Sequence, residues 1–89
     1  MNNNNNPFTE ITNSYVPEKY RLINNPNLVF PYEISNHGRV RYVLSTGEYV
    51  YITAKDYGLG DKYVKLQTIL SVEPVLFSVN LLIKETFGD

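Results

Sequence analysis

Arg39 and Arg41 follow an Asn36-His37-Gly38 turn signal and begin the run Arg39-Val40-Arg41-Tyr42-Val43-Leu44, which has the composition of a strand. Side chains two apart in a strand share a face, so both guanidinium groups project together. Such a pair makes that face locally basic, with forked donors for anionic groups. Tyr49, Tyr63, Lys65 and Gln67 take the corresponding positions in the neighbouring strand-like runs, which makes the shared face aromatic as well as basic. Ser35, Asn36 and Gly38 serve the turn itself. The two short polar side chains can bond nearby backbone and the glycine can take positive φ, which fixes the hairpin carrying the arginines.

Other chemistries find little material. The single histidine, His37, lies at the variable position of a surface turn. Asp56, Asp61 and Glu73 do not have the spacing of a loop with regularly alternating oxygen ligands. The absence of cysteine excludes disulfides and the usual cysteine-containing zinc sites. With no nucleophile and base pair, no phosphate loop and no metal cluster, the chain is expected not to be an enzyme and to need no cofactor or metal.

These residues need one small scaffold. Eighty-nine residues suffice for a single hydrophobic core. Residues 1–14, with the run Asn2 to Asn6, read as a flexible Asn-rich arm, and residues 15–89 as one β-rich domain. Eight tyrosines and four phenylalanines are many for this length and favour strands and contact surfaces. No apolar window is long enough to span a bilayer and no secretory signal opens the chain, so a soluble protein without a membrane partner is expected. Eight basic residues against nine acidic ones leave a net charge of −1, against the basic excess usual in nucleic-acid binders.

Alternating aromatic and β-branched residues place strands at 20–23, 32–35, 40–44, 49–52, 63–68 and 75–79, and residues 56–61 read as a flexible loop. Val79, Leu82, Ile83, Thr86 and Phe87 then fall at helical spacing, with Gly88 as the stop. The expected fold is α+β: a small twisted antiparallel sheet of hairpins with a short C-terminal helix on its aliphatic face. Ile34, Val40, Tyr42, Val50, Ile52, Val64, Leu66, Leu82, Ile83 and Phe87 would form the core. Arg39, Arg41, Tyr49, Tyr51, Tyr63, Lys65 and Gln67 would share the outer face.

Pro31-Tyr32-Glu33-Ile34-Ser35-Asn36-His37-Gly38-Arg39-Val40-Arg41 resembles the Y-x-[VI]-S-N-x-G-R-V-[RK] signature of the nuclease-associated module at the front of phage-type HNH homing endonucleases. Glu18-Lys19-Tyr20-Arg21-Leu22-Ile23 is similar to that family's opening E-x-W-K-x-I, with tyrosine for tryptophan. Lys62-Tyr63-Val64-Lys65-Leu66 is similar to its G-Y-x-x-V-x-L strand, with Asp61-Lys62 where glycine is usual. Residues 77–87 resemble its x-x-V-H-R-L-V-A-E-A-F helix, although Val79-Asn80-Leu81-Leu82 lacks the histidine and arginine. The resemblance runs from Glu18 to Phe87. It implies a non-catalytic module that contacts duplex DNA, with Arg39 and Arg41 on phosphates or guanine edges and Tyr49, Tyr63, Lys65 and Gln67 nearby. The family's catalytic histidine and asparagine segment would follow position 89, so no hydrolytic metal site is expected in these residues. A homing-endonuclease remnant in the cytoplasm of a phage or virus host is the setting implied.

The alternative is a small viral structural protein, a virion component for instance, or a host-factor interaction protein that binds a protein partner through its Tyr-rich face, with Tyr51 and Leu81 as contacts. Near-neutral charge and Leu81 in place of a cation support it. Electrostatics separates the two: Arg39, Arg41 and Lys65 together and away from acids favour DNA, whereas neutralisation by Glu33, Glu48 or Asp61 favours a protein.

Overall fold

The computed structural model describes residues 16–58 and 60–88; the arm expected over residues 1–14 lies outside them. Among the described residues, seven strands and one helix follow in order: β1 Tyr20–Leu22, β2 Glu33–Ser35, β3 Val40–Val43, β4 Tyr49–Ile52, β5 Lys55–Asp56, β6 Lys62–Leu66, β7 Val75–Ser78 and α1 Val79–Phe87. The architecture is α+β, as the alternation of the sequence implies. The strands do not form one sheet, however. β1-β2-β3-β4 form an antiparallel four-stranded sheet and β5-β6-β7 an antiparallel three-stranded one. The two-residue β5, which falls partly within the expected flexible loop, forms the edge of the second sheet.

The β2–β3 turn shows why its residues stand where they do. The Gly38 N–H donates to the Ser35 carbonyl and the Ser35 N–H to the Arg39 carbonyl, with Gly38 at φ +89°, the three-residue hairpin loop that places its last residue in the left-handed region. The buried Ser35 Oγ accepts from the His37 and Arg39 N–H groups, both at 3.1 Å. A Cβ on Gly38 would lie 3.2 Å from Val79 Cγ1 and 3.6 Å from Ile83 Cδ1, so the glycine also admits the helix against the turn.

The helix begins at Ser78, whose hydroxyl accepts from the Leu81 N–H at 3.1 Å, an N-cap that satisfies one of the orphan donors of the first turn. It stops at Gly88 as expected, for a reason of space: φ there is −88°, and a side chain would run into the Lys84 carbonyl that the Gly88 N–H bonds. Val79 and Leu82 are buried, while Ile83 and Phe87 are half-buried and pack at the margin.

The core comprises Ile23, Tyr32, Ile34, Val40, Val64, Leu66, Val79 and Leu82. Ile34, Val40, Val64, Leu66 and Leu82 are as the alternation requires. Tyr42, Ile52, Ile83 and Phe87 are half-buried against this core, and Val50 is half-buried outside it. Tyr32 enters because the segment before β2 bridges the sheets: Leu28 pairs with Thr68, the Val29 N–H donates to the Gln67 carbonyl, and the Ile69 N–H to the Asn27 carbonyl. The Tyr32 ring sits edge-on to Phe30 and Tyr42, and its hydroxyl accepts from the Gln67 N–H at 3.1 Å. Tyr32→Phe should therefore cost about 1–2 kcal/mol in urea denaturation, since it orphans a part-buried backbone donor.

Candidate functional site

In β3, Val40 and Tyr42 face the core, so Arg41 and Val43 face outward. Register places Glu33 and Tyr51 opposite Arg41, and Tyr49 opposite Val43; Tyr20, opposite Ser35, completes this outer face of the four-stranded sheet. The sequence expectation that Arg39, Arg41, Tyr49 and Tyr51 come together is met here.

Arg41 is not free for a ligand. Its guanidinium carbon lies 3.5 Å from the centre of the Tyr20 ring and 3.7 Å from that of Tyr49, so it is enclosed between two rings. Nε donates to Glu33 Oε1 at 2.8 Å and Nη1 to the Tyr51 hydroxyl at 3.3 Å. That donation pulls the Tyr51 phenol below its ordinary pKa. Only 16% of the Arg41 side chain is exposed. Burial, first among its causes, raises the Tyr20 phenol, whose buried oxygen meets no hydrogen-bond partner among the described residues. Tyr20→Phe keeps the ring and removes the stranded hydroxyl, so its stability in urea should equal or exceed wild type, in contrast to Tyr32→Phe.

Arg39 is 63% exposed at its side chain but is also paired. Nε donates to Glu18 Oε2 at 2.9 Å and Nη2 to Oε1, a fork-to-fork arrangement, and the guanidinium carbon stands 5.9 Å from the Tyr51 ring centre. Glu18 belongs to the segment before β1, which is fastened to the turn. Asn36 Oδ1 accepts from the Lys19 N–H at 2.8 Å, Asn36 Nδ2 donates to the Pro17 carbonyl at 3.0 Å, and His37 Nε2 lies 2.8 Å from the Val16 carbonyl oxygen. The Asn36 side chain therefore fastens the segment before β1 rather than its own turn, which the Ser35 hydroxyl and Gly38 hold. Sequence reading missed Glu18 as the partner of Arg39, because a contact across 21 positions leaves no periodic signal.

The hydrogen bonds from Arg39, reinforced by the Ser35 hydroxyl, hold the Glu18 carboxyl at about 2, down from an ordinary value of 4.5. A carboxyl depressed in the folded state stabilises above its unfolded pKa and loses that contribution as pH falls toward the folded one. The fastening of residues 16–19 should therefore weaken between about pH 4.5 and about 2. The protection of the Lys19 and Asn36 amides relative to their intrinsic exchange rates should fall as pH drops through that window, and Glu18→Gln should remove this pH dependence of protection.

The remaining expected site residues lie elsewhere. Val64 and Leu66 face the core, so Tyr63 and Lys65 face outward from the three-stranded sheet. The Gln67 side chain turns into the following loop, donating to the Ser71 carbonyl at 3.0 Å and the Val72 carbonyl at 3.3 Å. The single outer face expected of these residues is thus two faces, because both sheets turn their aliphatic sides to one shared core. Leu81 is 53% exposed on the helix, whereas the helix packs on the inner side of β1 and β2. Tyr51 and Leu81 consequently belong to separate surfaces.

A groove of about 690 Å³ opens between the sheets, with Arg39 and Lys62 against Asp56 and Asp61 on its walls. Among the described residues, no group of three or more metal-ligating side chains comes together, and no helix is long and apolar enough to cross a membrane. Comparison of the chain with protein-family models, with curated proteins and with solved structures finds no match.

Proposed function

We propose that this chain is a non-catalytic DNA-associated binding module resembling the front module of HNH homing endonucleases, acting in the host cell of a phage or virus. The observation that supports it is the pinned β2–β3 hairpin. At the centre of the resemblance, Ser35 and Gly38 hold the turn from which the Arg39 guanidinium reaches solvent, and Asn36 fastens that turn to the segment before β1. Arg41 positions this face and Arg39 is the one that meets a phosphate, which must displace the Glu18 carboxylate. Binding is therefore weak and salt-sensitive.

The test is duplex anisotropy over a salt series. Arg39→Ala should flatten the slope of log K against log salt by about one unit, and Glu18→Gln should tighten binding by freeing the fork. No duplex binding at low salt, or no response to either substitution, would remove this function.

The electrostatic criterion drawn from the sequence favours a second reading, a protein partner, because Lys65 stands on the other sheet and both arginines are paired with acids. Arg41 is neutralised by Glu33 and Arg39 by Glu18, so the outer face, with Tyr49 and Tyr51 exposed, has the aromatic and charge-balanced composition of a protein contact. Tyr51→Ala and Leu81→Ala, on separate surfaces, would then have unequal effects on partner capture, whereas DNA binding would be absent throughout.

A further inference from the structure

The outer face of the three-stranded sheet differs from that of the four-stranded sheet in the state of its cations. Lys55 pairs in register with Tyr63, and Lys65 stands two residues along the same strand. Side chains on one face at such diagonal positions lie about 7–8 Å apart. Both lysines are exposed, and among the described residues neither lies in an ion pair, in contrast to Arg39 and Arg41. Tyr57, 41% exposed, meets the half-buried Tyr63 edge-on with ring centres 6.4 Å apart. The acid at the end of this face, Asp61, has both oxygens occupied, one by the Ser78 hydroxyl and one by the Lys62 N–H at 2.6 Å.

We propose that this face binds single-stranded nucleic acid, with backbone phosphates on Lys55 and Lys65 and bases stacked on Tyr57 and Tyr63. The choice follows from charge and from ring presentation. Two unpaired ammonium groups complement successive phosphates, but two phosphate contacts alone hold a polyanion weakly. The tyrosine rings beside them add stacking, which needs bases with a free π-face and tolerates any sequence. A duplex offers this face its phosphates and keeps its bases stacked on one another. Both the surface and the form of nucleic acid differ from those of the Arg39 hairpin, so the two sites stand or fall separately.

The test is anisotropy of the full chain with labelled oligothymidylate across a salt series, with a duplex of equal length in parallel. Two phosphates on a single strand give a slope of log K against log salt of about −1.4. Lys55→Ala and Lys65→Ala should each remove about half of it, and Lys65→Arg should restore it. Tyr57→Ala should weaken binding about 5- to 150-fold, whereas Lys84→Ala, on the helix, should leave it unchanged. Circular dichroism of each variant should match wild type, because the substituted side chains are surface groups. Absence of oligothymidylate binding at low salt, or equal losses from Lys84→Ala and the face variants, overturns the proposal. Duplex binding lost in Arg39→Ala without single-strand binding also overturns it and leaves the hairpin reading standing. Single-strand binding sensitive to Lys55 and Lys65, with no duplex binding through Arg39, supports this face and removes the other.

Discussion

Leu66→Ala should destabilise the protein by about 2–5 kcal/mol, a large share of the stability available to a domain of this size. Leu66 is fully buried at the end of β6, next to the bridge by which residues 27–29 join the two sheets. Removing three side-chain carbons there forfeits their transfer free energy and leaves a cavity that the surrounding strands, held in register by the bridge, can close only in part. Phe87→Ala should cost less, although the sequence places Phe87 in the core. Its ring is half-buried, with the Arg21 guanidinium carbon 4.8 Å from its centre, and the neighbouring side chains can close over the gap. Paired thermal melts check the order. A Leu66→Ala midpoint equal to wild type, or one above that of Phe87→Ala, would contradict a core centred between the sheets.

Arg41→Ala should cost about 2–3 kcal/mol. The guanidinium loses two ring faces, each worth up to about 2 kcal/mol when desolvated, and Glu33 loses its partner in a part-buried position. Arg41→Lys should recover little, because a compact ammonium cannot lie flat between Tyr20 and Tyr49 while reaching Glu33 and the Tyr51 hydroxyl. Denaturation by urea measures the loss. The salt dependence of DNA binding by the folded variant should match that of wild type, which separates Arg41 from Arg39. A stable Arg41→Ala protein with a flattened salt slope would return Arg41 to the role of phosphate ligand.

The two arginines illustrate how far sequence reading reaches. Their shared face follows from strand alternation, and Ser35 and Gly38 announce the turn because their chemistry is local, whereas the Asn36 amide bonds Pro17 and Lys19 far back in the chain. Arg39 and Arg41 nevertheless differ in availability. That difference depends on Tyr20, Glu33 and Glu18, which reach them from other strands and from the segment before β1. Lys65 and Tyr63 show the same limit, since alternation correctly turned them away from Val64 and Leu66 while leaving open which sheet they would join.

The sequence by itself determined the α+β class, the positions of most strands, the β2–β3 turn and the aliphatic side of the C-terminal helix. These are consequences of the two-residue and 3.6-residue periods and of side-chain bonds spanning a few residues. Only the tertiary structure decided that the strands split into two sheets and that Tyr32 and Ile23 enter the core. It also decided which cations are neutralised. Strand partners, the bridge from Leu28 to Thr68 and the fork from Glu18 to Arg39 join residues far apart in the chain. Their energies depend on what folding brings together, and no local period records that.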